Sequence, residues 1–147
     1  MPDYQLDHVC LAVRKIAPAR AMLEKTLGYK PRTEPVHNTR QRVNVQFLSK
    51  PGSLDIKLIE PDSMESPLVD FIKSRGGGLH HLAFKTDSVE EGCDDLTSRG
   101  ARILSAPAPG EAFDEETIAF AFLGMGLNVE LIDTDSRRAE IPYSSGD

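Results

Sequence analysis

The segment Leu6-Asp7-His8-Val9-Cys10-Leu11 returns 73 residues later as Leu79-His80-His81-Leu82-Ala83-Phe84. A second segment, Ile56-Lys57-Leu58-Ile59, returns at the same distance as Val129-Glu130-Leu131-Ile132. The same offset pairs Phe47 with Phe120. A constant offset through both halves indicates an internal duplication, and two copies favour a pseudo-symmetric pair of modules over a solenoid.

Each half predicts the same order of elements, βαβββ, in runs of β-branched and aromatic residues bounded by glycine, proline and asparagine. The predicted strands are residues 6–13, 29–34, 42–48 and 54–60 in the first half and 79–85, 102–106, 117–123 and 128–133 in the second. The fold class is therefore α+β, with two tandem βαβββ modules and helices on the outside.

Each module carries a helix after its first strand. In the first helix Pro18 is expected at the first position and Gly28 at the end, with Met22, Leu23 and Leu27 as the buried stripe. In the second module Ser88 and Glu91 form a capping box, and Gly100 closes the helix.

The chain of 147 residues is interpreted as a single domain, 1–147. Module one covers 4–60 and module two 79–134, followed by a polar and peripheral tail, 135–147. The connection 61–78 is expected to hold a helix, because Ser66-Pro67 suits a helix start and Gly76-Gly77-Gly78 a helix end.

Composition excludes several classes of function. A net charge of −6 argues against a nucleic-acid partner, which needs a basic face. No apolar run is long enough to cross a membrane, and the first residues resemble no signal peptide. Cys10 and Cys93 form no disulfide framework, so a reduced, cytoplasmic protein is expected.

Strand parity predicts which histidines point inward, because alternate side chains on a strand face opposite ways. Val9, Leu11 and Val13 form the face expected under the helix, so His8 points to the concave face. The same parity places His81 on the matching face of the second half.

The last strands add two inward side chains, Lys57 and Glu130, because the apolar residues on either side of them pack under helices. All four inward residues converge if the modules close around a pseudo-twofold axis. Asp7 and His80 precede the two histidines and are expected on the opposite faces, outside the set of direct ligands.

His8, His81 and Glu130 are the ligand set expected for a divalent ion with open positions, such as Zn, Co, Mn or Ni. Such an ion polarises a carbonyl oxygen, and a base then removes a neighbouring proton. Glu130 and Lys57 are the candidate catalytic residues. A desolvated lysine that loses its proton would serve as base or weak ligand. Two alternatives stay open: the histidines are core residues, and Lys57 forms an ion pair with Glu130.

These motifs resemble the vicinal oxygen chelate superfamily, which includes glyoxalases, bleomycin-resistance proteins and dioxygenases. Within it, Gly78-Leu79-His80-His81 and the helix before it are most similar to methylmalonyl-CoA epimerases. The resemblance covers about residues 4–134. It implies a cupped mixed sheet around one small-molecule site, and a homodimer.

The resemblance maps the metal positions of the superfamily onto His8, Lys57, His81 and Glu130. Lys57 departs from the glutamine or glutamate usual in the epimerases. The Gly-His-Gly-Lys and His-Pro-Lys stretches of the epimerases are absent here; residues 109–114 read Pro-Gly-Glu-Ala-Phe-Asp instead. An anionic group would have Arg40 and Arg42 as partners, unless these belong to a solvated loop.

Three functions follow from these observations. The first is a metal-assisted epimerase, isomerase or lyase that acts beside a carbonyl of a small molecule, such as an acyl thioester. The second is a metal-free protein that binds or sequesters a small molecule on the same fold. The third is an accessory protein that acts on an activated sugar or an acyl-carrier intermediate.

Overall fold

The computed structural model describes residues 2–142, and positions 1 and 143–147 lie outside it. Its strands are β1 (Gln5–Ala12), β2 (Lys30–Pro31), β3 (Val36–Asn38), β4 (Val43–Ser49), β5 (Asp55–Pro61), β6 (Gly78–Lys85), β7 (Arg102–Gly110), β8 (Glu116–Phe122) and β9 (Asn128–Ile132). Its α-helices are α1 (Ile16–Leu27), α2 (Leu68–Arg75) and α3 (Val89–Ser98). None of these helices is long and apolar enough to cross a membrane.

The strands form one mixed sheet in the order β2-β4-β5-β1-β6-β9-β8-β7, with β3 paired to β4. β1 and β6 lie at its centre and pair antiparallel to each other. Each also pairs parallel to the last strand of its own half, β1 to β5 and β6 to β9. This confirms the α+β class and the two βαβββ modules, with β3 as an extra strand in the first.

The two edge strands differ from their predicted lengths. β2 is reduced to two residues, while β7 continues to Gly110. Proline lacks the backbone N–H that a ladder needs and is tolerated on edges. Pro31 ends β2, whereas Pro107 and Pro109 lie in β7, which forms the other edge of the sheet.

α1 covers the convex face of the first half. Leu11, Val13 and Leu23 pack around buried Ile16, as the parity of β1 predicts. The predicted stripe is wrong for Met22 and Leu27, which are 58% and 53% exposed.

The boundaries of α1 follow its backbone requirements. The helix begins at Ile16, so Pro18 is its third residue, where an intrahelical donor is still not required. Gly28 ends it in the left-handed conformation, with φ of 78°, as predicted.

The other two helices follow their predicted end signals to within two residues. Ser88 Oγ accepts from the Glu91 amide at the start of α3, but the helix ends at Ser98, before Gly100. α2 begins at Leu68, whose amide donates to Ser66 Oγ at 3.2 Å, and Gly76 ends it. The expected helix between the modules is therefore present.

The concave face of the sheet holds the main core. Its buried residues come from both modules, from α2 and from a 3₁₀ turn, Glu111–Phe113: Cys10, Ala12, Val43, Val45, Phe47, Ile59, Leu68, Ile72, Ala112, Phe113, Ile118 and Ile132. The tail contributes as well, because Arg137 is only 4% exposed. The expectation of a peripheral tail is wrong at this residue, and positions 143–147 lie outside the described part.

Candidate metal and catalytic site

Four strands bring the four predicted inward residues together. His8 lies on β1, Lys57 on β5, His81 on β6 and Glu130 on β9. The Nε2 atoms of His8 and His81 each lie 3.3 Å from Glu130 Oε1, and Lys57 Nζ lies 3.6 Å from the same oxygen. None of the four is more than 1% exposed.

The placement follows from the register of the central strands. In the parallel pair β1–β5, Cys10 is level with Lys57, and in β6–β9, Ala83 is level with Glu130. The equivalent pairings in the two halves place Lys57 and Glu130 symmetrically about the β1–β6 ladder. The duplication in the sequence is thus the direct cause of the cluster.

Glu130 carries the negative charge at the centre of this cluster. Burial alone would raise the pKa of its carboxyl group. The positive charge of Lys57 and the contacts with the two histidines outweigh burial and hold that pKa well below its ordinary range. Lys57 and Glu130 thus form the buried ion pair that the sequence left as an alternative.

His81 is held as a neutral imidazole. Burial lowers its pKa, and this effect outweighs the contact with Glu130, which raises it; the charge of Lys57 lowers it further. A neutral histidine is the form that binds a metal ion.

Two β-bulges give the site an outer layer that strand parity did not predict. Along the β1–β6 ladder, the register shifts between Leu6 and His8 and again at Cys10–Leu11, where Cys10 is level with His81 and Leu11 with Leu79. The extra residues are Asp7 and His80, the two that precede the inward histidines. A bulge re-aims a side chain, so neither points simply to the opposite face as expected.

Both bulged residues bond the inward histidine that follows them. His8 donates from Nδ1 to Asp7 Oδ2 at 2.7 Å, and the Nδ1 atoms of His80 and His81 lie 2.8 Å apart. Burial lowers the pKa of His80 to about 4, with the charges of His81 and Lys57 adding to the effect, so this ring is neutral at neutral pH.

The donor set fits a divalent ion. The ligand atoms of His8, His81 and Glu130 all lie within 4.8 Å of one another. Among residues 2–142, His8 Nε2 and Glu130 Oε2 are buried without any hydrogen-bond partner, and buried polar atoms are rarely left so. The fourth place, where the resemblance predicts a further ligand, holds the Lys57 ammonium.

A second group, Cys10, His80 and His81, also has ligand atoms within 4.8 Å. Cys10 is fully buried, and burial raises the pKa of its thiol to about 12. Metals bind the thiolate, so this group is a poorer candidate than the set centred on Glu130.

Aromatic side chains enclose the cluster. Phe47 packs edge-on to His8 with ring centres 5.2 Å apart, and Phe120 packs edge-on to His81 at the same distance. Phe113, from the 3₁₀ turn, lies over His8 at 6.0 Å and 5.2 Å from Lys57 Nζ. These rings exclude water and strengthen the electrostatic interactions inside.

Sequence reasoning did not identify Phe113 as part of the site. One signal was Gly110 just before it: a Cβ there would lie 2.8 Å from Ile118 Cγ2, so the turn needs glycine to lie against β8.

A cavity of about 340 Å³ opens beside the cluster. His80 and Phe120 line it and also pack against the ring of His81. The remaining walls are largely apolar, with contributions from Val43, Ile59, Leu68, Phe71 and Leu104 and from the uncharged Gln41 and Asn128. An apolar cavity with a few polar groups next to reactive side chains is typical of a small-molecule site.

Arg40, Arg42 and the neighbouring His37 are each paired with a carboxylate. Arg40 lies 3.2 Å from Glu115, Arg42 lies 3.4 Å from Glu65, and His37 lies 2.9 Å from Asp62. This favours the solvated charged loop over a preformed anion site.

The sequence profile of the Glyoxalase/Bleomycin resistance protein/Dioxygenase superfamily matches residues 7–122. The chain belongs to this superfamily. The match includes His8, Lys57 and His81, and β9 with Glu130 follows it. The cupped arrangement of two βαβββ modules is the fold expected of a member.

The sequence relatives include an uncharacterized bacterial protein and a named epimerase. The chain is 34% identical to the uncharacterized protein YqjC of Bacillus subtilis over 117 residues, which cover 79% of this chain and 81% of that protein. It is 33% identical to the mitochondrial methylmalonyl-CoA epimerase of Bos taurus over 105 residues, which cover 71% of this chain. The match spans 59% of the bovine enzyme.

Several solved structures share this fold. Hypothetical protein BH1468 from Bacillus halodurans C-125 has a TM-score of 0.81 at 29% identity, covering 92% of this chain and 97% of its own. Methylmalonyl-CoA epimerase from Mycobacterium tuberculosis has a TM-score of 0.79 at 28% identity, and the match covers 88% of this chain and 87% of that enzyme. A Streptomyces coelicolor methylmalonyl-CoA epimerase variant, in complex with 2-nitronate-propionyl-CoA, has a TM-score of 0.77 at 25% identity. That match covers 94% of this chain and 98% of the variant.

Proposed function

We propose that this superfamily member is a metal-assisted, methylmalonyl-CoA epimerase-like enzyme that moves a proton on the carbon next to a carbonyl. The observation that carries the proposal is the convergence of His8, His81 and Glu130, with His8 Nε2 and Glu130 Oε2 lacking partners among residues 2–142. The epimerase relatives support an acyl thioester as the substrate class.

His8, His81 and Glu130 would hold the metal ion, with Zn, Co, Mn and Ni as the candidates. When bound, such an ion polarises a carbonyl oxygen and stabilises the negative charge that develops there. The outer partners Asp7 and His80 orient the two imidazoles, as such partners commonly do for metal-binding histidines.

Two members of the cluster, Glu130 and Lys57, are the candidates for moving the proton. Glu130 Oε2 is a carboxylate oxygen without a hydrogen bond among the described residues, so it can accept a proton. The Lys57 ammonium, 3.6 Å from Glu130 Oε1, can donate a hydrogen bond to a developing oxyanion. The neighbouring cavity has room for an acyl group, and its largely apolar walls suit one.

Exchange of the α-proton in deuterated water tests the proposal. Methylmalonyl-CoA and other 2-substituted acyl-CoA thioesters are incubated with the protein and followed by proton NMR, with and without chelator. We expect the α-proton signal to disappear faster with the metal-loaded protein than with the chelated one. Absence of exchange with every thioester in the presence of each candidate metal would contradict the proposal.

A second function, metal-free binding of a small molecule, is favoured by one observation. Lys57 Nζ lies 3.6 Å from Glu130 Oε1 and supplies a positive charge where the superfamily pattern has a metal ligand. On this alternative, His8→Ala and His81→Ala leave ligand binding nearly unchanged. Loss of both bound metal and activity in these variants would instead support the enzyme.

The assembly proposed with this function is a homodimer, as in the resemblance described above. Light scattering after size-exclusion chromatography measures the mass directly, against 16.2 kDa for one chain.

A further inference from the structure

Arg137, in the tail after β9, has its charged group buried inside the protein. Its side chain is 1% exposed and its guanidinium lies 4.5 Å from the ring centre of Phe47 and 5.0 Å from that of Phe113. These two rings also pack against His8. Burying a charged guanidinium costs free energy unless it is paired, so the partners of Arg137 indicate its role.

The carboxylate partner of Arg137 is Asp7. Arg137 donates from Nη2 to Asp7 Oδ2 at 2.6 Å, and His8 donates to the same oxygen at 2.7 Å. Asp55 is a weaker second partner, with its Oδ2 4.0 Å from Arg137. One carboxylate oxygen thus joins the tail to His8.

The bond between Asp7 and His8 needs an anchor because the two residues are neighbours on a strand. Adjacent side chains normally point to opposite faces, and only the bulge at Asp7 brings its carboxylate beside the ring of His8. Asp7 is also 14% exposed on its side chain, so a path to solvent is open to it. The guanidinium of Arg137 holds it against the ring instead.

The consequence for His8 is a defined tautomer. A carboxylate accepts hydrogen bonds and cannot donate them, so the Nδ1 atom of His8, which faces Asp7, carries a proton. Its Nε2 points towards Glu130 Oε1 at 3.3 Å and has no hydrogen-bond partner among residues 2–142, so it is the nitrogen that is left for a metal ion. His80 can either donate or accept, so it imposes no such tautomer on His81.

We propose that Arg137 is a positioning residue that, through Asp7, fixes His8 in the Nδ1–H tautomer and keeps its Nε2 lone pair directed at the metal position. The tautomer does not depend on the proposed function, whereas the effect on metal affinity rests on it. Arg137 acts through Asp7 and not by contact with substrate.

Nitrogen NMR of the imidazoles measures the tautomer directly. Long-range ¹H–¹⁵N spectra of the metal-free protein are recorded for Arg137→Met, Arg137→Lys, Asp7→Ala and the unmodified chain. His8→Ala assigns the His8 signals among the four histidines. Arg137→Met removes the charge and keeps an unbranched apolar side chain at this position. Arg138→Gln is the matched control, because Arg138 pairs with Glu115 and not with Asp7.

We expect His8 in the unmodified protein to show one protonated Nδ1 and one unprotonated Nε2. In Arg137→Met and Asp7→Ala, a mixture with the Nε2–H tautomer appears and zinc affinity falls about 10- to 100-fold. Arg137→Lys, which keeps a positive charge, should keep part of the Nδ1–H tautomer and part of the zinc affinity. Arg138→Gln should change neither the tautomer nor the affinity.

An unchanged His8 tautomer in folded Arg137→Met would overturn the proposal, and Asp7→Ala decides it in the same way if Arg137→Met does not fold. If the unmodified protein shows the fixed tautomer but binds no metal, the proposed metal-assisted function fails while the role of Arg137 stands.

Discussion

Asp7 and His80 occupy equivalent positions of the two halves, 73 residues apart, and both are bulged residues of the β1–β6 ladder. Each lies within hydrogen-bonding distance of Nδ1 of the histidine that follows it, at 2.7 Å and 2.8 Å. The duplication therefore preserved the outer contacts of both histidines while the chemistry diverged. The first half uses a carboxylate, which only accepts hydrogen bonds, and the second half uses an imidazole, which can also donate them.

Replacing Lys57 should strengthen metal binding. Lys57→Gln removes an ammonium 3.6 Å from Glu130 Oε1 and supplies an amide oxygen at the same place. Because like charges no longer repel, we expect affinity for Zn²⁺ or Co²⁺ to rise by at least about tenfold, or ~1.4 kcal/mol. Isothermal titration calorimetry measures it. Lys73→Gln, at an exposed position of α2, is the control. Equal or weaker binding by Lys57→Gln would contradict the expectation.

Glu130→Gln should destabilise the metal-free protein strongly. The change leaves the Lys57 ammonium buried without its counter-charge, a loss that costs about 3–5 kcal/mol. The double variant Lys57→Met/Glu130→Gln removes the stranded charge and should recover part of the free energy of unfolding. Urea unfolding in the presence of chelator measures both variants. A double variant that is less stable than Glu130→Gln would show that the pair is not the source of the effect.

Phe113→Leu should open access to the site at a cost in stability. Phe113 is 1% exposed, and its ring packs against Phe47 with centres 5.5 Å apart. We expect a loss of about 1–3 kcal/mol in unfolding free energy. We also expect faster entry of Co²⁺ in stopped-flow absorbance, since the smaller side chain covers His8 less completely. Phe122→Leu, on the far end of β8, is the comparison; equal entry rates would count against Phe113 as the cover.

Tyr4 should make stability fall at alkaline pH. It donates to Asp95 at 2.7 Å, and burial, together with the bond and charge of Asp95, raises the pKa of Tyr4 to about 12 from 10.0. A folded-state pKa above the unfolded value gives stability that is complete below pH 10 and is lost as pH rises towards about 12.

The measurement compares Tyr4→Phe with the unmodified protein by urea unfolding at pH 8 and pH 11. We expect Tyr4→Phe to be less stable by about 1 kcal/mol at pH 8, the worth of a typical hydrogen bond. The difference should shrink at pH 11. A difference that stays constant or grows with pH would exclude this linkage.

Local pattern accounts for most of the fold. The offset between His8 and His81 predicts the two modules, and Gly28, Ser66 and Ser88 mark helix ends through interactions within a few residues. The prediction was wrong for Met22 and Leu27, which lie at exposed positions of α1. Helical periodicity does not show how wide the partner surface is.

The outer parts of the site depend on contacts that no local pattern contains. The roles of Asp7 and His80 require a register shift in the pairing of β1 with β6, and alternation along one strand predicts the opposite orientation. Arg137 reaches Asp7 across 130 positions of the chain. Such long-range contacts form only when both segments are packed.

By itself, the sequence determined the duplicated fold and the four inward residues His8, Lys57, His81 and Glu130, because strand alternation repeats in both halves. Only the tertiary structure decided that Lys57 and Glu130 form a buried ion pair and that Phe113 covers the cluster. It also decided that Asp7, His80 and Arg137 form the outer layer around the histidines. The physical reason is that charge pairing and burial depend on distances between strands, which the spacing of residues along one strand does not specify.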